Sequence, residues 1–161
     1  MRVLPLLAAA ALIAGCTAQA PSAPPSGTTP ALVTGAQPEF FNTVEPWPFP
    51  FSSAVKTGDL IFVSGQIGSE IVDGMPRLVA GGIEPETRQT LDNIKAILAK
   101  AGSSMEKVVK CSVMMADMAE WPKMNAIYAT YFPGPKPARA AWGANGLALN
   151  ARVEIECIAA K

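Results

Sequence analysis

Three positions in this sequence carry side chains suited to chemistry on a small carboxylate. Arg139 opens an apolar run, where a guanidinium can capture a carboxylate through two parallel hydrogen bonds. Glu154 lies in a segment in which apolar and charged side chains alternate, and a partly desolvated carboxylate there can act as a base toward water. Ser64-Gly65 follows an apolar run, and a glycine at that point lets a ligand approach backbone N–H groups.

Arg139, Glu154 and Ser64, and a fourth candidate, Asn125, also have purely structural interpretations, which the sequence leaves open. Arg139 and Glu154 can form an interfacial salt bridge, because structural ion pairs use the same residue types as catalytic pairs. Ser64 can be a strand-end hydroxyl that satisfies a backbone group. Asn125, on a predicted helix, can be an exposed polar residue.

The composition excludes several kinds of chemistry. The 161 residues contain no His, which removes the commonest general base and every Ser-His or Cys-His nucleophile pair. The 13 basic and 13 acidic side chains cancel, so the charge balance gives no reason to expect a nucleic-acid partner. The sequence has no CxxC motif and no acidic metal cluster, and we predict no metal site.

The N-terminus has the pattern of an export signal. An apolar run over residues 3–14 is shorter than the roughly 20 residues that a membrane-spanning helix needs. Its ending, Gly15-Cys16, resembles the lipobox of bacterial lipoproteins, and Thr17 after it resembles the signal for outer-membrane delivery. We expect residues 1–15 to be a signal peptide and Cys16 to carry lipid, which makes the protein an exported cell-envelope lipoprotein that faces the periplasm from the outer membrane. The alternative is an ordinary secretory signal that contains a Cys.

Residues 16–44 are predicted to be a Pro/Ala/Ser-rich tether behind the lipidated Cys16. Residues 17–50 hold eight of the 15 prolines and only two charges, so this stretch cannot bury enough apolar area to offset its ordering entropy. The pattern changes near residue 45, and we assign one domain to residues 45–161.

The domain alternates apolar strands with two amphipathic helices. The element order β, β, α, β, α, β, β predicts an α+β fold, in which a mixed sheet carries both helices on one face. Strands that are apolar on both faces need a second cover, so we expect the other face to meet another subunit. The specific assignments are strands near 59–67, 108–115, 140–144 and 151–158, and helices over 85–101 and from Pro122 onward.

Two cysteines, Cys111 and Cys157, lie in apolar strand contexts. We interpret them as inert buried thiols, which is the usual state of a cysteine in an apolar core. A disulfide is the alternative, because an exported compartment permits one.

Six segments, taken in order, resemble the RidA (YjgF-type) reactive-intermediate deaminase family. That resemblance implies a chorismate-mutase-like α+β fold, and a homotrimer with clefts between adjacent subunits. It also implies hydrolysis, without a cofactor, of 2-aminoacrylate and related 2-imino acids to 2-keto acids and ammonia. The segments are SGQIG (64–68), RQTLDNIKAIL (88–98), VVKCSVMMADM (108–118), MNAIYATYF (124–132), PAR (137–139) and VEIE (153–156).

The resemblance also implies roles for individual residues. Arg139 corresponds to the arginine that holds the substrate carboxylate, and Glu154 to the acid that positions the attacking water. The residues that correspond to the substrate-binding cleft are Phe51, Ser64, Gly65, Asn125 and Ala141.

Two departures from the family pattern leave a second function open. Phe51 replaces a tyrosine of active members and loses its hydroxyl, and Ala141 replaces a cysteine found in many members. Both departures favour a non-catalytic lipoprotein that binds a small carboxylate or a partner protein in the same clefts. A purely structural lipoprotein is a third interpretation, against which Arg139 in an apolar stretch counts.

Overall fold

The structure is a computed structural model that describes residues 37–44 and 48–161. The predicted signal peptide, Cys16 and most of the predicted tether lie outside these residues. The described part forms β1 (Glu39–Phe41), β2 (Ala54–Thr57), β3 (Leu60–Ile67), β4 (Ser69–Val72), β5 (Met75–Leu78), α1 (Ile83–Lys100), β6 (Val108–Met115), α2 (Trp121–Thr130), β7 (Ala138–Gly143) and β8 (Val153–Ala160), with short 3-10 turns at Met105–Lys107, Met118–Glu120 and Ala148–Asn150.

Six strands build one mixed sheet that carries both helices on one face. The strand order is β1-β2-β3-β8-β6-β7, and β4 and β5 form a separate hairpin. The β6–β7 pair is parallel and the other pairs of the sheet are antiparallel. Helix α1 packs against β3, β8 and α2. The predicted α+β class with two helices on one face is confirmed.

Alternation along β8 shows why the helices lie on that face. Val153 and Ile155 are fully buried in the core under the helices, and Cys157 is nearly so. The residues between them, Glu154 and Glu156, point to the opposite face because side chains alternate along a strand. The inner face of α1 and its C-terminal end show helical spacing, since these residues are all buried: Thr87, Leu91, Ile94, Leu98 and Ala101.

The fold reaches further toward the N-terminus than the sequence indicates. Strand β1 pairs with β2, Glu39 forms a 2.7 Å salt bridge with Lys56, and Phe41 packs against the core. The assignment of the tether up to residue 44 is therefore corrected, because an extended apolar pair, Phe40-Phe41, adds to the sheet edge despite the surrounding prolines. The β4–β5 hairpin was not predicted either.

The sheet face opposite the helices is open in a single chain. Leu60 and Phe62 are each 41% exposed there, and Trp142 on β7 is 45% exposed. Large apolar side chains on one face are typical of a surface that another protein covers. Burial of this face by a second subunit stays a prediction. In the part of the chain that the structure describes, no helix has the length and hydropathy needed to cross a membrane.

Gly68, between β3 and β4, allows α1 to approach the sheet. A Cβ atom at this position would lie 2.4 Å from the Cα atom of Glu86 and 2.6 Å from its carbonyl oxygen. Both are backbone atoms and cannot rotate away. The Glu86 carboxylate in turn accepts a 2.7 Å hydrogen bond from the backbone N–H of Arg152, which ties the first turn of α1 to the start of β8.

Gly68→Ala is expected to destabilise the fold by about 2–3 kcal/mol, since the added methyl group must push α1 off the sheet. Denaturant unfolding of the full chain measures the change. Gly134→Ala is the matched control, because a Cβ atom at Gly134 meets nothing within 4 Å. Equal stability of the two variants would contradict the close approach.

Cys111 and Cys157 form a disulfide between β6 and β8. The expectation of two inert thiols is therefore wrong. The two residues are direct partners in the antiparallel register of these strands, which brings their side chains together in the core. The sequence does not give that register, so the pairing could not be chosen over free thiols.

Removing the disulfide is expected to lower the free energy of unfolding by about 4 kcal/mol, the chain-entropy value for a closed loop of this length. The residues are 46 positions apart. Guanidinium unfolding measures the loss. It compares the double variant Cys111→Ala/Cys157→Ala with the parent protein, both unreduced and reduced. Unreduced protein that shows free thiols at both positions on peptide mapping would contradict the pairing.

Candidate active site

A groove of about 680 Å³ beside the open sheet face holds three of the predicted site residues, Phe51, Gly65 and Glu154. We call it the glutamate groove. Its walls come from the segment before β2, the end of β3, the β4–β5 hairpin, α1 and the turn before β8. The three residues are far apart in the sequence, and the β3–β8 pairing brings two of them together.

A β-bulge at Ser64 and Gly65 shapes the floor of the groove. Val63 pairs with Cys157 and Gln66 with Ile155, so two residues of β3 face one residue of β8. Bulges re-aim side chains and interrupt the ladder, and they are frequent next to active sites. Here the bulge places Gly65 against the neighbouring Glu154.

Gly65 leaves the space that the Glu154 carboxylate occupies. A Cβ atom on Gly65 would lie 2.0 Å from Oε1 of Glu154 and 3.0 Å from its Cδ. Only a residue without a side chain fits under this carboxylate. Gly65 thus seats Glu154, and its role in ligand approach stays a prediction.

Gly65→Ala is expected to displace the Glu154 carboxylate and to lower strongly the imine hydrolysis that the family resemblance implies, while the fold persists. The clash is with the far end of a flexible side chain, in contrast to the backbone clash at Gly68. Turnover and thermal unfolding, measured together, check this. Full activity of the Gly65→Ala variant would show that the position of the carboxylate does not matter.

The surroundings of Glu154 favour the protonated form of its carboxyl group. Burial raises the pKa of its carboxyl, and the nearby carboxylate of Glu156 raises it further. Over residues 37–44 and 48–161, no salt bridge includes Glu154, so no paired cation offsets this rise there. A carboxylate kept poorly solvated in this way accepts a proton more readily than an exposed one.

Ser64 has the structural role that the sequence left open. Its hydroxyl donates a 2.7 Å hydrogen bond to the carbonyl oxygen of Ser52, and its backbone N–H donates to Ser53 at 3.0 Å. These bonds fix the bulge against the segment that leads from Phe51 into β2. The hydroxyl oxygen can still accept a hydrogen bond from a ligand.

Arg139 lies in a second group of residues, which we call the arginine cluster. Its Nη1 donates a 2.8 Å hydrogen bond to Oδ1 of Asn125. Its guanidinium carbon lies 4.6 Å from the ring centroid of Tyr128 and 5.2 Å from that of Trp121. Stacking between two rings holds the guanidinium in one orientation without neutralising it. Ala141, two residues after Arg139, shares its side of β7 and packs against the core.

Trp121 and Tyr128 are contacts of Arg139 that the sequence motifs did not reveal. The spacing carried a signal, because residues 121, 125 and 128 lie on one face of a helix. Burial raises the pKa of Tyr128 to about 12, against the opposing effect of Arg139. Among the described residues, the Tyr128 hydroxyl is the one buried side-chain polar group without a hydrogen-bond partner.

One chain does not bring the arginine cluster and the glutamate groove together. Arg139 pairs with Cys111, whose side chain points into the core, and therefore lies on the helix-bearing face at the sheet edge. Glu154 pairs with Met114, on the opposite face. Directly paired residues of neighbouring strands point to the same side of a sheet. A site that uses both residues therefore needs two chains.

Metal ligands are not assembled in the described residues, where no three His, Cys, Asp or Glu side chains form a group able to hold an ion. The polar groups of the two sites are a guanidinium, an amide, a hydroxyl and a carboxylate. These groups can bind a small anion and move a proton at a water molecule.

Comparison with known proteins places the chain in one family. The profile of the Endoribonuclease L-PSP family matches residues 45–161. The chain is 44% identical over 110 residues to the 2-iminobutanoate/2-iminopropanoate deaminase of Mus musculus, a match that covers 68% of this chain and 80% of that protein. It is 42% identical over 110 residues to Reactive Intermediate Deaminase A, chloroplastic, of Arabidopsis thaliana, which covers 68% of this chain but only 58% of the plant protein.

Solved structures agree with the sequence matches. The Rid-family protein YyfA of Yersinia pestis superposes with a TM-score of 0.70 at 35% identity, covering 77% of this chain and 99% of that one. Escherichia coli TdcF, solved with bound serine, has a TM-score of 0.65 at 26% identity and covers 76% of this chain and 93% of its own. The chain belongs to the Endoribonuclease L-PSP family, the RidA/YjgF-type family that its motifs indicate.

Proposed function

We propose that the protein hydrolyses 2-imino acids to 2-keto acids and ammonia, without a cofactor, at sites formed between copies of the chain. The observation that carries this proposal is the Glu154 carboxylate, seated over Gly65 in the glutamate groove with a raised pKa. The names of the relatives support the reaction, since two of them are imine or reactive-intermediate deaminases.

Arg139 holds the substrate carboxylate in this proposal. Its guanidinium has one amino group bonded to Asn125 and is stacked rather than paired with an acid in the described chain. An arginine that is oriented but not neutralised is suited to bind a carboxylate through two parallel hydrogen bonds. The bound serine of TdcF supports a site for a small amino-acid-like carboxylate in this fold.

Glu154 of an adjacent copy supplies the base. The carboxylate takes a proton from water as the water oxygen bonds to the imine carbon, and the C=N π electrons move to nitrogen. Protonation of that nitrogen, cleavage of the C–N bond and loss of the hydroxyl proton then give the 2-keto acid and ammonia. The imine is already electrophilic, so holding water and substrate in place supplies much of the acceleration.

In this proposal the protein is a homotrimer with three sites, and each site joins the arginine cluster of one copy to the glutamate groove of the next. The arginine cluster lies at the β7 edge and the glutamate groove at the opposite face, so the halves meet when one chain is rotated onto its neighbour and the contact is repeated around a ring. The exposed apolar residues of the open face would become buried in this assembly.

A non-catalytic binding protein is the second candidate, and two residues favour it. Phe51 lines the glutamate groove with a ring but without a hydroxyl, and Ala141 brings no thiol beside Arg139. Both leave the carboxylate site intact and remove groups that could move protons. Saturable binding of a small carboxylate with no turnover would establish this function.

RNA cleavage, which the family description names, fits this chain less well. The sequence has no His, and its 13 basic and 13 acidic side chains balance. Binding to a phosphate backbone depends on clustered Lys and Arg that displace counterions.

Imine hydrolysis is tested with an amino-acid oxidase that generates 2-imino acids in the presence of semicarbazide, which traps them. The protein is expected to compete with the trap and to lower the yield of adduct in proportion to its concentration. If the protein leaves the yield of adduct unchanged for imines with several different side chains, imine hydrolysis is rejected and the non-catalytic binding function is favoured.

We further propose that the protein is exported and held in the cell envelope by lipid on Cys16, which lies outside the described residues. The Cys111–Cys157 disulfide supports export, because structural disulfides persist mainly in oxidising compartments. Labelled palmitate is expected to enter the parent protein but not Cys16→Ser, which should lose its membrane association. Equal labelling of the two proteins would reject the anchor.

A further inference from the structure

The glutamate groove continues well beyond the residues that the reaction needs. Glu154 and Gly65 lie in it, and beside its polar residues the lining includes six apolar side chains: Val44, Phe49, Phe51, Ile71, Pro76 and Leu149. These apolar residues come from the segment before β2, the β4–β5 hairpin and the turn before β8. A groove built this way offers an apolar surface directly next to the reacting carboxylate.

The volume of the groove exceeds that of a short imino acid. At about 680 Å³ it falls within the roughly 300–1,000 Å³ of sites that take ligands of many atoms. The names of the mammalian relatives specify ethyl and methyl side chains, since they are 2-iminobutanoate and 2-iminopropanoate deaminases. In a single chain, a methyl or ethyl side chain fills only a small part of this volume.

Leu149 has a conformation and an exposure that core packing does not explain. It has φ 55° and ψ 20°, and Asn150 follows it with φ 60°, so two consecutive residues are left-handed. For a leucine this conformation costs about 1–2 kcal/mol. Its side chain is 53% exposed and lies outside the core cluster, yet it lines the groove. Strain that stabilises nothing in the core points to a function.

The charges in the groove discriminate against acidic side chains. Glu70 and Glu154 both line it. The substrate carboxylate is held by the arginine cluster, whereas a second carboxylate on the side chain would enter beside these two. Repulsion between like charges disfavours that arrangement.

We propose that the glutamate groove selects 2-imino acids with large apolar side chains, and that Leu149 is a residue that determines this specificity. The inference rests on the proposed imine hydrolysis and deepens it by naming the substrate side chain. The side chain of the substrate packs against Leu149 and Phe51 while its imine carbon lies at Glu154. Truncated contacts in an apolar pocket change discrimination by about 10-fold or more.

The test compares imines generated from phenylalanine, leucine, alanine and glutamate by oxidases, with the full chain as the enzyme. The expected order of kcat/KM is phenylalanine or leucine first, then alanine, then glutamate. Leu149→Asn keeps a residue that tolerates the left-handed conformation and is expected to lower the phenylalanine-to-alanine ratio about 10-fold. Met75→Asn is the control, because Met75 is 60% exposed at the hairpin but does not line the groove.

Binding of stable 2-keto acids separates this inference from the reaction itself. Phenylpyruvate is expected to bind more tightly than pyruvate, and 2-ketoglutarate more weakly, with the first preference reduced in Leu149→Asn. Hydrolysis of all imines at similar rates, or a ratio that Leu149→Asn leaves unchanged, overturns the specificity but not the proposed function. Loss of the oligomer in Leu149→Asn with an unchanged ratio also overturns it and assigns Leu149 to the subunit contact. Absence of any hydrolysis rejects the proposed reaction, and the keto-acid preferences then decide the specificity alone.

Discussion

Arg139→Ala is expected to lower kcat/KM for imine hydrolysis by about 10²–10⁴-fold, because it removes both hydrogen bonds to the substrate carboxylate. Hydrogen bonds to charged groups contribute about 1.5–3 kcal/mol each, so losing two produces an effect of this size. The imine-trap assay measures the loss. Arg139→Lys should recover only part of the rate, since an ammonium keeps the charge but not the planar fork.

Stability measurements separate this effect from unfolding. Arg139 is partly exposed at the edge of the sheet, and its described partners are an amide and two rings rather than a carboxylate. Alanine there leaves no buried acid unpaired, so the free energy of unfolding should change little. If Arg139→Ala hydrolysed imines at the parent rate with its fold intact, the guanidinium would not be the carboxylate site.

Glu154→Gln is expected to lower kcat by about 10²–10⁴-fold, the range for removing a general base. Glutamine is close in shape to glutamate and fits over Gly65, so the geometry is retained and only the proton acceptor is lost. The same variant should be more stable than the parent protein at neutral pH. Turnover and unfolding therefore move in opposite directions, which a simple loss of structure does not produce.

The sign of the stability effect follows from the raised pKa of Glu154. The folded protein binds the proton of the Glu154 carboxyl more tightly than the unfolded chain does. Ionisation of Glu154 therefore weakens the fold as the pH rises from the pKa in the unfolded chain to the raised pKa in the folded protein. The stability difference between Glu154→Gln and the parent should vanish below the ordinary glutamate pKa, about 4.3. The acid limb of the parent's kcat/KM profile should lie above that value. A limb at or below it would contradict the role of Glu154 as the base.

The parts of the fold that follow local periodicity were predictable from the sequence. The buried face of α1 repeats at helical spacing, and β8 alternates between Val153, Ile155 and the glutamates that flank them. β1 and the β4–β5 hairpin were missed. Proline-rich composition masked β1, and strands of three or four residues are too short to show a period.

Features that depend on strand register could not be predicted from the sequence. The opposition of Cys111 and Cys157, and the pairing of Arg139 with Cys111, are set by tertiary pairing. Motif spacing identified Arg139 and Glu154 as a pair but did not show that they lie on opposite faces of one sheet. The left-handed conformation at Leu149 has no marker, because glycine or asparagine is the usual residue there.

Mixing two inactive variants tests most directly whether the site forms between copies. Full-length Arg139→Ala and Glu154→Gln chains are co-expressed in equal amounts, so that rings assemble at random. A quarter of the contacts then join an intact Arg139 to an intact Glu154, and about a quarter of the parent activity should return. Each variant alone remains inactive. Activity of the mixture no higher than that of the separate variants would contradict a site shared between subunits.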